Sequence, residues 1–324
     1  MVVVVTGASA GVGRAAAAAF AADGASVALL ARSREGLDGA AREVAAAGGR
    51  ALSIPVDVAD AQAVDAAAER IEIELGPIDV WVNAAMVTIF APAHEIRAEE
   101  FRRATEVTYL GTVHGTLSAL RRMRARKRGV IVQVGSALSY RGIPLQSAYC
   151  GAKHAIRGFT DALRVEQLHD RSGVHVTTVH LAAFNTPQFD WALSRMPKRA
   201  QPLPPIFQPE VAARAIVWAA RHRRREVHVG WPAVKAIWGN KLVPRLADRM
   251  LIDKGYSGQL TQEPEDPQRP ANLFEPAPPA YYRRHGRFDP RARRRSLQLE
   301  WTTRRVWAVP AVLAVAAIGV VLAL

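Results

Sequence analysis

Apolar positions over residues 1–180 fall into short, nearly unbroken runs separated by Ala-rich stretches of helical length. The runs are Val2–Val5, Ser26–Ala31, Ala51–Val56, Val80–Val82, Val130–Val134 and Val174–His180. A strand with one solvated face alternates apolar and polar residues. A strand covered on both faces is apolar throughout, as these are. Regular alternation of such strands with helices predicts the α/β class, a Rossmann-like doubly wound parallel sheet. Glu226–Gly230 supplies a late strand after a helix starting near Glu210.

The pattern changes twice toward the C-terminus. Seven prolines punctuate Glu263–Pro290, and apolar periodicity is lost there. This predicts a Pro/Arg-rich linker over residues 259–303, extended and poorly ordered. Val306–Leu324 then carries no charge and is apolar all round. At 1.5 Å per residue it would span roughly 28 Å, close to the hydrocarbon thickness of a bilayer. Arg304 and Arg305 precede it, and Trp301 and Trp307 sit where interfacial aromatics are expected. The expectation is a single-pass C-terminal transmembrane anchor over residues 304–324. By the positive flank, the preceding domain lies in the cytoplasm.

Charge and cysteine alter this picture little. Forty-three Lys and Arg against 29 Asp and Glu give a net charge of +14. Much of the excess lies in Arg121–Arg128, Arg221–Arg225 and Arg283–Arg305. The first two clusters flank predicted helix C-termini, where cations complement the helix dipole. The third leads into the apolar terminal segment. No aromatic-interleaved basic motif or zinc-finger spacing accompanies them, so nucleic-acid binding is not predicted. Cys150 is the single cysteine, which excludes an intramolecular disulfide and fits a reducing compartment. The N-terminal Met-Val-Val-Val-Val-Thr-Gly reads as a strand, without the charged region of a signal peptide.

Two stretches carry chemistry. The first strand runs into Thr6-Gly7-Ala8-Ser9-Ala10-Gly11-Val12-Gly13 and then an Ala-rich helix. Glycine permits positive φ and close approach of backbone to phosphate, and the helix N-terminus offers N–H groups to a pyrophosphate. Gly7, Ser9, Ala10, Gly11, Val12 and Gly13 are therefore candidate dinucleotide contacts. The second strand ends Ala31-Arg32, where an NAD-selective fold usually places an acid. A guanidinium can pair with a 2′-phosphate, so NADP is predicted over NAD. Asp57 and Val58, after the third strand, would meet the adenine.

The second stretch is Ser136, ending the fifth strand, with Tyr149 and Lys153 on one face of a helix beginning near Ser147. Carbonyl reduction needs a hydride on carbon and a proton on oxygen. A neighbouring ammonium makes a tyrosine a better acid/base, and a serine hydroxyl can hold the reacting oxygen.

With Asn83-Ala84-Ala85, these motifs resemble the short-chain dehydrogenase/reductase family over about residues 1–230. The resemblance implies a catalytic domain over residues 1–258. In it Tyr149 is general acid/base, Lys153 also bonds the nicotinamide ribose, and Ser136 orients substrate. Asn83, Ala84 and Thr186 become cofactor contacts. A homo-oligomer follows by analogy alone. Three positions depart from the family pattern. Met86 stands where glycine is usual. Thr108 stands where an asparagine relays protons to the lysine, which makes it a candidate relay member. Ala182-Ala183 stand where Pro-Gly is usual.

Substrate contacts are expected from Ala137-Leu138, Ile143-Pro144-Leu145 and Phe184–Phe207, which suit a hydrophobic carbonyl or alcohol. Cys150 reads as a packing residue. His154 and His180 lack metal-ligand spacing, so no metal is predicted. A non-catalytic NAD(P)-binding redox sensor or membrane scaffold is the alternative, and an isomerase or lyase on the same fold a third option.

Overall fold

A computed structural model describes residues 1–304 of the chain. Seven parallel strands form the main sheet: β1 (Val2–Thr6), β2 (Ser26–Ala31), β3 (Arg50–Pro55), β4 (Ile78–Asn83), β6 (Gly129–Ser136), β7 (Val174–Leu181) and β12 (Glu226–Val229), in the order β12-β7-β6-β4-β1-β2-β3. Short strands outside this sheet are β5 (Ile89–Phe90), β8 (Ala183–Phe184), β9 (Leu193–Ser194), β10 (Lys198–Ala200), β11 (Ile206–Phe207), β13 (Leu260–Pro264) and β14 (Ala292–Arg293). The helices are α1 (Gly11–Ala22), α2 (Arg34–Ala46), α3 (Ala61–Leu75), α4 (Ala98–Thr105), α5 (Gly111–Ala125), α6 (Ser147–His169), the single turn α7 (Gln188–Trp191), α8 (Pro209–Arg221), α9 (Trp231–Leu242) and α10 (Pro244–Ser257).

The unbroken apolar runs have the expected cause. Val3 and Val5 enter a core that includes Phe20 of α1, Leu37 of α2 and Ile216 of α8. Val2 and Val4 enter a second core with Ile71 of α3 and Met123 of α5. Successive side chains point to opposite faces, so covering both faces requires apolar residues at every position. The order of the strands reverses beside β1, where β4 lies on one side and β2 on the other. Open α/β sheets bind ligands at such a point, beyond the carboxyl ends of the strands.

The C-terminal part departs from expectation. Residues 259–303 were predicted as a poorly ordered linker, but they pack back onto the carboxyl edge of the sheet. β13 pairs antiparallel with β10, and β14 pairs with β11, which in turn pairs with β8. Leu273, Ala277, Phe288 and Leu299 are buried. Asp190 accepts from Arg283 at 2.7 Å and from Arg287. Asn185 accepts from the Phe288 N–H at 3.0 Å. Prolines remove helical periodicity but not the capacity to bury separate side chains in grooves.

The basic clusters flanking α5 and α8 are drawn into ion pairs, Arg122 with Asp65, Arg126 with Glu72 and Arg221 with Asp23 among them. Among the described residues no helix is long and apolar enough to cross a membrane. The anchor predicted over residues 304–324 lies, apart from Arg304, outside the described residues.

Candidate active site

β1 leaves the sheet at Thr6, whose hydroxyl accepts from the N–H groups of Ala84 and Ala85 at 3.0 and 3.2 Å. This ties the ends of β1 and β4 together. Gly7 has φ +68° and Gly11 φ +54°, values that favour glycine. A Cβ on Gly13 would lie 2.3 Å from the Gly7 carbonyl oxygen. The turn and α1 therefore meet backbone to backbone at Gly13.

That cleft, about 160 Å³, is lined by every residue of the predicted glycine turn set: Gly7, Ser9, Ala10, Gly11, Val12 and Gly13. Arg32, Asp57, Val58, Ala84 and Thr186 line it as well. Arg32 donates to the carbonyl oxygens of Asn272 at 2.5 Å and Phe274 at 2.7 Å. Asp57 accepts from Arg103 and from the Ala59 N–H at 3.0 Å. Burial works against the Asp57 charge, but these hydrogen bonds and the Arg103 and Arg32 cations hold its carboxyl below the usual range.

Two predicted residues are placed otherwise. Asn83 is buried beneath the cleft. Its amide donates to Thr116 at 3.0 Å and Gln133 at 2.9 Å and accepts from Trp81 at 2.9 Å. It braces the sheet, and its neighbours Ala84 to Val87 face the cleft instead. Thr108 lies in a π-helical turn, Glu106–Leu110, between α4 and α5. Its hydroxyl both donates to and accepts from the Val87 backbone at 3.1 Å. With donor and acceptor taken up locally, that hydroxyl is not placed to relay a proton to Lys153.

A larger cavity of about 440 Å³ adjoins the cleft and shares Val12, Thr186 and Gln188 with it. Ser136, Tyr149 and Lys153 stand together on its wall. Burial raises the Tyr149 phenol above its ordinary range, and the neighbouring Ser136 side chain opposes this. Lys153 Nζ donates to the Val134 carbonyl at 2.7 Å and lies 5.5 Å from the centre of the Tyr149 ring. Burial pushes the Lys153 ammonium down to about 8.

Of the expected substrate contacts, Ala137, Leu138, Ile143, Phe184 and Phe189 line this cavity. Trp191 faces the nucleotide cleft instead. Sequence reasoning missed three contributions. Asn272 and Tyr282, from the supposed linker, wall the cleft. Gln146 and Gln259, hydrogen-bonded to each other at 2.6 Å, add polar groups to the apolar cavity. Residues of the α9–α10 pair supply part of its wall. The aromatic pair Tyr281-Tyr282 within a Pro-rich stretch was the available signal for the first of these.

Pairing of β12 with β7 sets His228 opposite His180, an arrangement that spacing along the chain did not reveal. Both Nε2 atoms are 3.7 Å from Glu226 Oε2. Burial lowers His180 to about 4. Arg225 lies 3.5 Å from Glu226, and Tyr140 donates to it at 2.6 Å. The carboxylate is thus already compensated by protein groups.

The short chain dehydrogenase family matches residues 1–195. An uncharacterized oxidoreductase of Bacillus subtilis, YxnA, is 33% identical over 276 residues, 85% of this chain and 78% of its own. A fatty acyl-CoA reductase of Acinetobacter baylyi is 31% identical over 233 residues, 71% of this chain and 76% of its own. A metagenomic short-chain oxidoreductase solved in complex with NADP superposes with a TM-score of 0.60 at 28% identity, over 71% of this chain and 96% of its own. The family match over residues 1–195 and the relatives over most of the chain show that the chain is an oxidoreductase enzyme belonging to the short-chain dehydrogenase/reductase family.

Proposed function

We propose that the chain interconverts a hydroxyl and a carbonyl group on a hydrophobic small molecule, using NADP, with Tyr149 as general acid/base. The observation that carries this is the meeting of Ser136, Tyr149 and Lys153 on the wall of a largely apolar cavity beside the glycine-turn cleft. When bound, the nicotinamide supplies or accepts the hydride. Tyr149 gives its proton to the carbonyl oxygen during reduction and takes it back during oxidation. Ser136 holds that oxygen against the phenol. Lys153, cationic at neutral pH, favours the phenolate and so eases proton loss from Tyr149.

The cleft suits a dinucleotide because the glycine turn and the N-terminus of α1 line it. Arg32, with Ala31 before it in place of an acid, supports the phosphorylated cofactor. The NADP complex of the metagenomic neighbour supports the same choice. The apolar lining and the similarity to a fatty acyl-CoA reductase support a substrate with a long hydrocarbon portion.

NADPH oxidation with a panel of hydrophobic ketones and aldehydes tests the reading. Tyr149→Phe should lower turnover by roughly 10²- to 10⁴-fold, the usual weight of general acid–base catalysis, while cofactor binding persists. NADPH binding without turnover of any carbonyl compound would instead favour the redox sensor or scaffold. That second reading draws on the Thr108 hydroxyl being taken up by Val87.

The apolar run Val306–Leu324 supports attachment to a membrane, with the catalytic domain on the cytoplasmic side. A full chain that fractionates as soluble without detergent would rule this out.

A further inference from the structure

Part of the wall of the larger cavity is supplied by α9 and α10, and these helices are unusually bare. Among their residues only Ala233, Ile237 and Gly255 are buried. Trp231, Trp238, Leu242, Leu246, Met250 and Ile252 are all exposed, Leu242 by 73%. Large apolar side chains exposed in such number on adjacent helices mark an interaction surface. Lys235, Lys241, Arg245, Arg249 and Lys254 are interleaved with it, and all are exposed. Two acids accompany them, Asp248 and Asp253, and Asp248 is already paired with Arg141.

We propose that α9–α10 is a docking face for an anionic lipid bilayer and the entrance through which substrate reaches Tyr149. Charge selects this occupant. A second copy apposed through the same face would set five cations against five. The chain's own Val306–Leu324 run has no charge with which to compensate them. Anionic headgroups meet the cations while the apolar side chains enter the acyl boundary. The tryptophans suit the headgroup level, and Lys241 lies 5.1 Å from the centre of the Trp238 ring. Val243, Leu246 and Met250 are exposed on this face and also line the cavity containing Ser136 and Tyr149. The wall of the cavity is therefore continuous with the surface where the bilayer would sit. The docking face rests on exposure and charge. The entrance rests on the hydrophobic-substrate reading.

The test uses the full chain with vesicles of phosphatidylcholine alone or with one-third phosphatidylserine, each with brominated acyl chains. Tryptophan quenching is compared between wild type and Trp238→Phe. The expected result is quenching that increases with phosphatidylserine and falls in Trp238→Phe, the difference isolating Trp238. The triple variant K241E/R245E/R249E, at three exposed positions outside the cavity lining, should lose the phosphatidylserine dependence. Loss of about 10-fold or more in the phosphatidylserine-dependent part of the Trp238 quenching is expected.

Equal quenching in wild type and Trp238→Phe would overturn the proposal. So would a lipid-free dimer that the triple variant dissociates. The triple variant should retain turnover of a water-soluble ketone and lose about 10-fold on a bilayer-dispersed one. Equal loss on both substrates would overturn the entrance role. Absence of turnover in wild type would count against the proposed reaction alone, because quenching needs no catalysis.

Discussion

Tyr149 meets opposing influences, burial raising its phenol and the neighbouring Ser136 side chain lowering it. Lys153 meets a simpler one, because desolvation alone takes its ammonium from an ordinary 10.5 to about 8. Between those values the folded protein binds fewer protons than the unfolded chain at this group. Its contribution to stability therefore rises with pH from about 8 to 10.5. Urea titrations of the ligand-free protein across that window should show this rise, and Lys153→Met should flatten it. Arg32 is held by two carbonyls of the C-terminal segment, so its guanidinium is placed at the cleft before any ligand arrives. Arg32→Glu should reverse the NADP preference, changing the ratio of kcat/KM values by roughly 10- to 100-fold for one charge-assisted hydrogen bond. Unchanged selectivity would remove Arg32 from the 2′-phosphate site.

Among the elements, the β1–α1 turn depends most strictly on residue type. A side chain at Gly13 would meet the Gly7 carbonyl, and that oxygen belongs to backbone with little room to move. Gly13→Ala should strain the turn by about 1–3 kcal/mol and weaken NADPH binding by roughly 10- to 100-fold. Fluorescence titration gives the binding constant, and the wild-type value in this variant would show that the turn yields cheaply. The strands and α6 were readable from pattern because apolar runs and the Tyr149–Lys153 spacing are local signals. The π-helical turn carrying Thr108 was not readable. The Thr108 hydroxyl within it is tied to Val87, 21 residues away in sequence, a contact that no local pattern announces.

Across the molecule, the C-terminal strap links the two halves of the site. Arg14 donates to the Tyr282 carbonyl at 2.9 Å, and the Gly11 N–H at the α1 N-terminus donates to the Arg283 carbonyl at 3.1 Å. Asp190 is the buried carboxylate that holds Arg283 and Arg287. Asp190→Ala should destabilise the protein by about 1–3 kcal/mol, less than a fully buried pair because Arg283 is half-exposed. Hydrogen exchange should quicken across residues 270–290, and protection equal to wild type there would mean that other contacts hold the strap.

Sequence alone determined the doubly wound sheet, the glycine turn and the Ser136, Tyr149 and Lys153 group. Each follows from local periodicity, from backbone freedom at glycine or from helical spacing. Tertiary structure decided what depends on distant partners. It set Asn83 among Trp81, Thr116 and Gln133 rather than against a cofactor. It brought His228 to His180 through strand pairing. It turned a Pro-rich stretch into the wall of the nucleotide cleft, since scattered side chains such as Leu273 and Phe288 bury by fitting separate grooves that no periodic pattern announces.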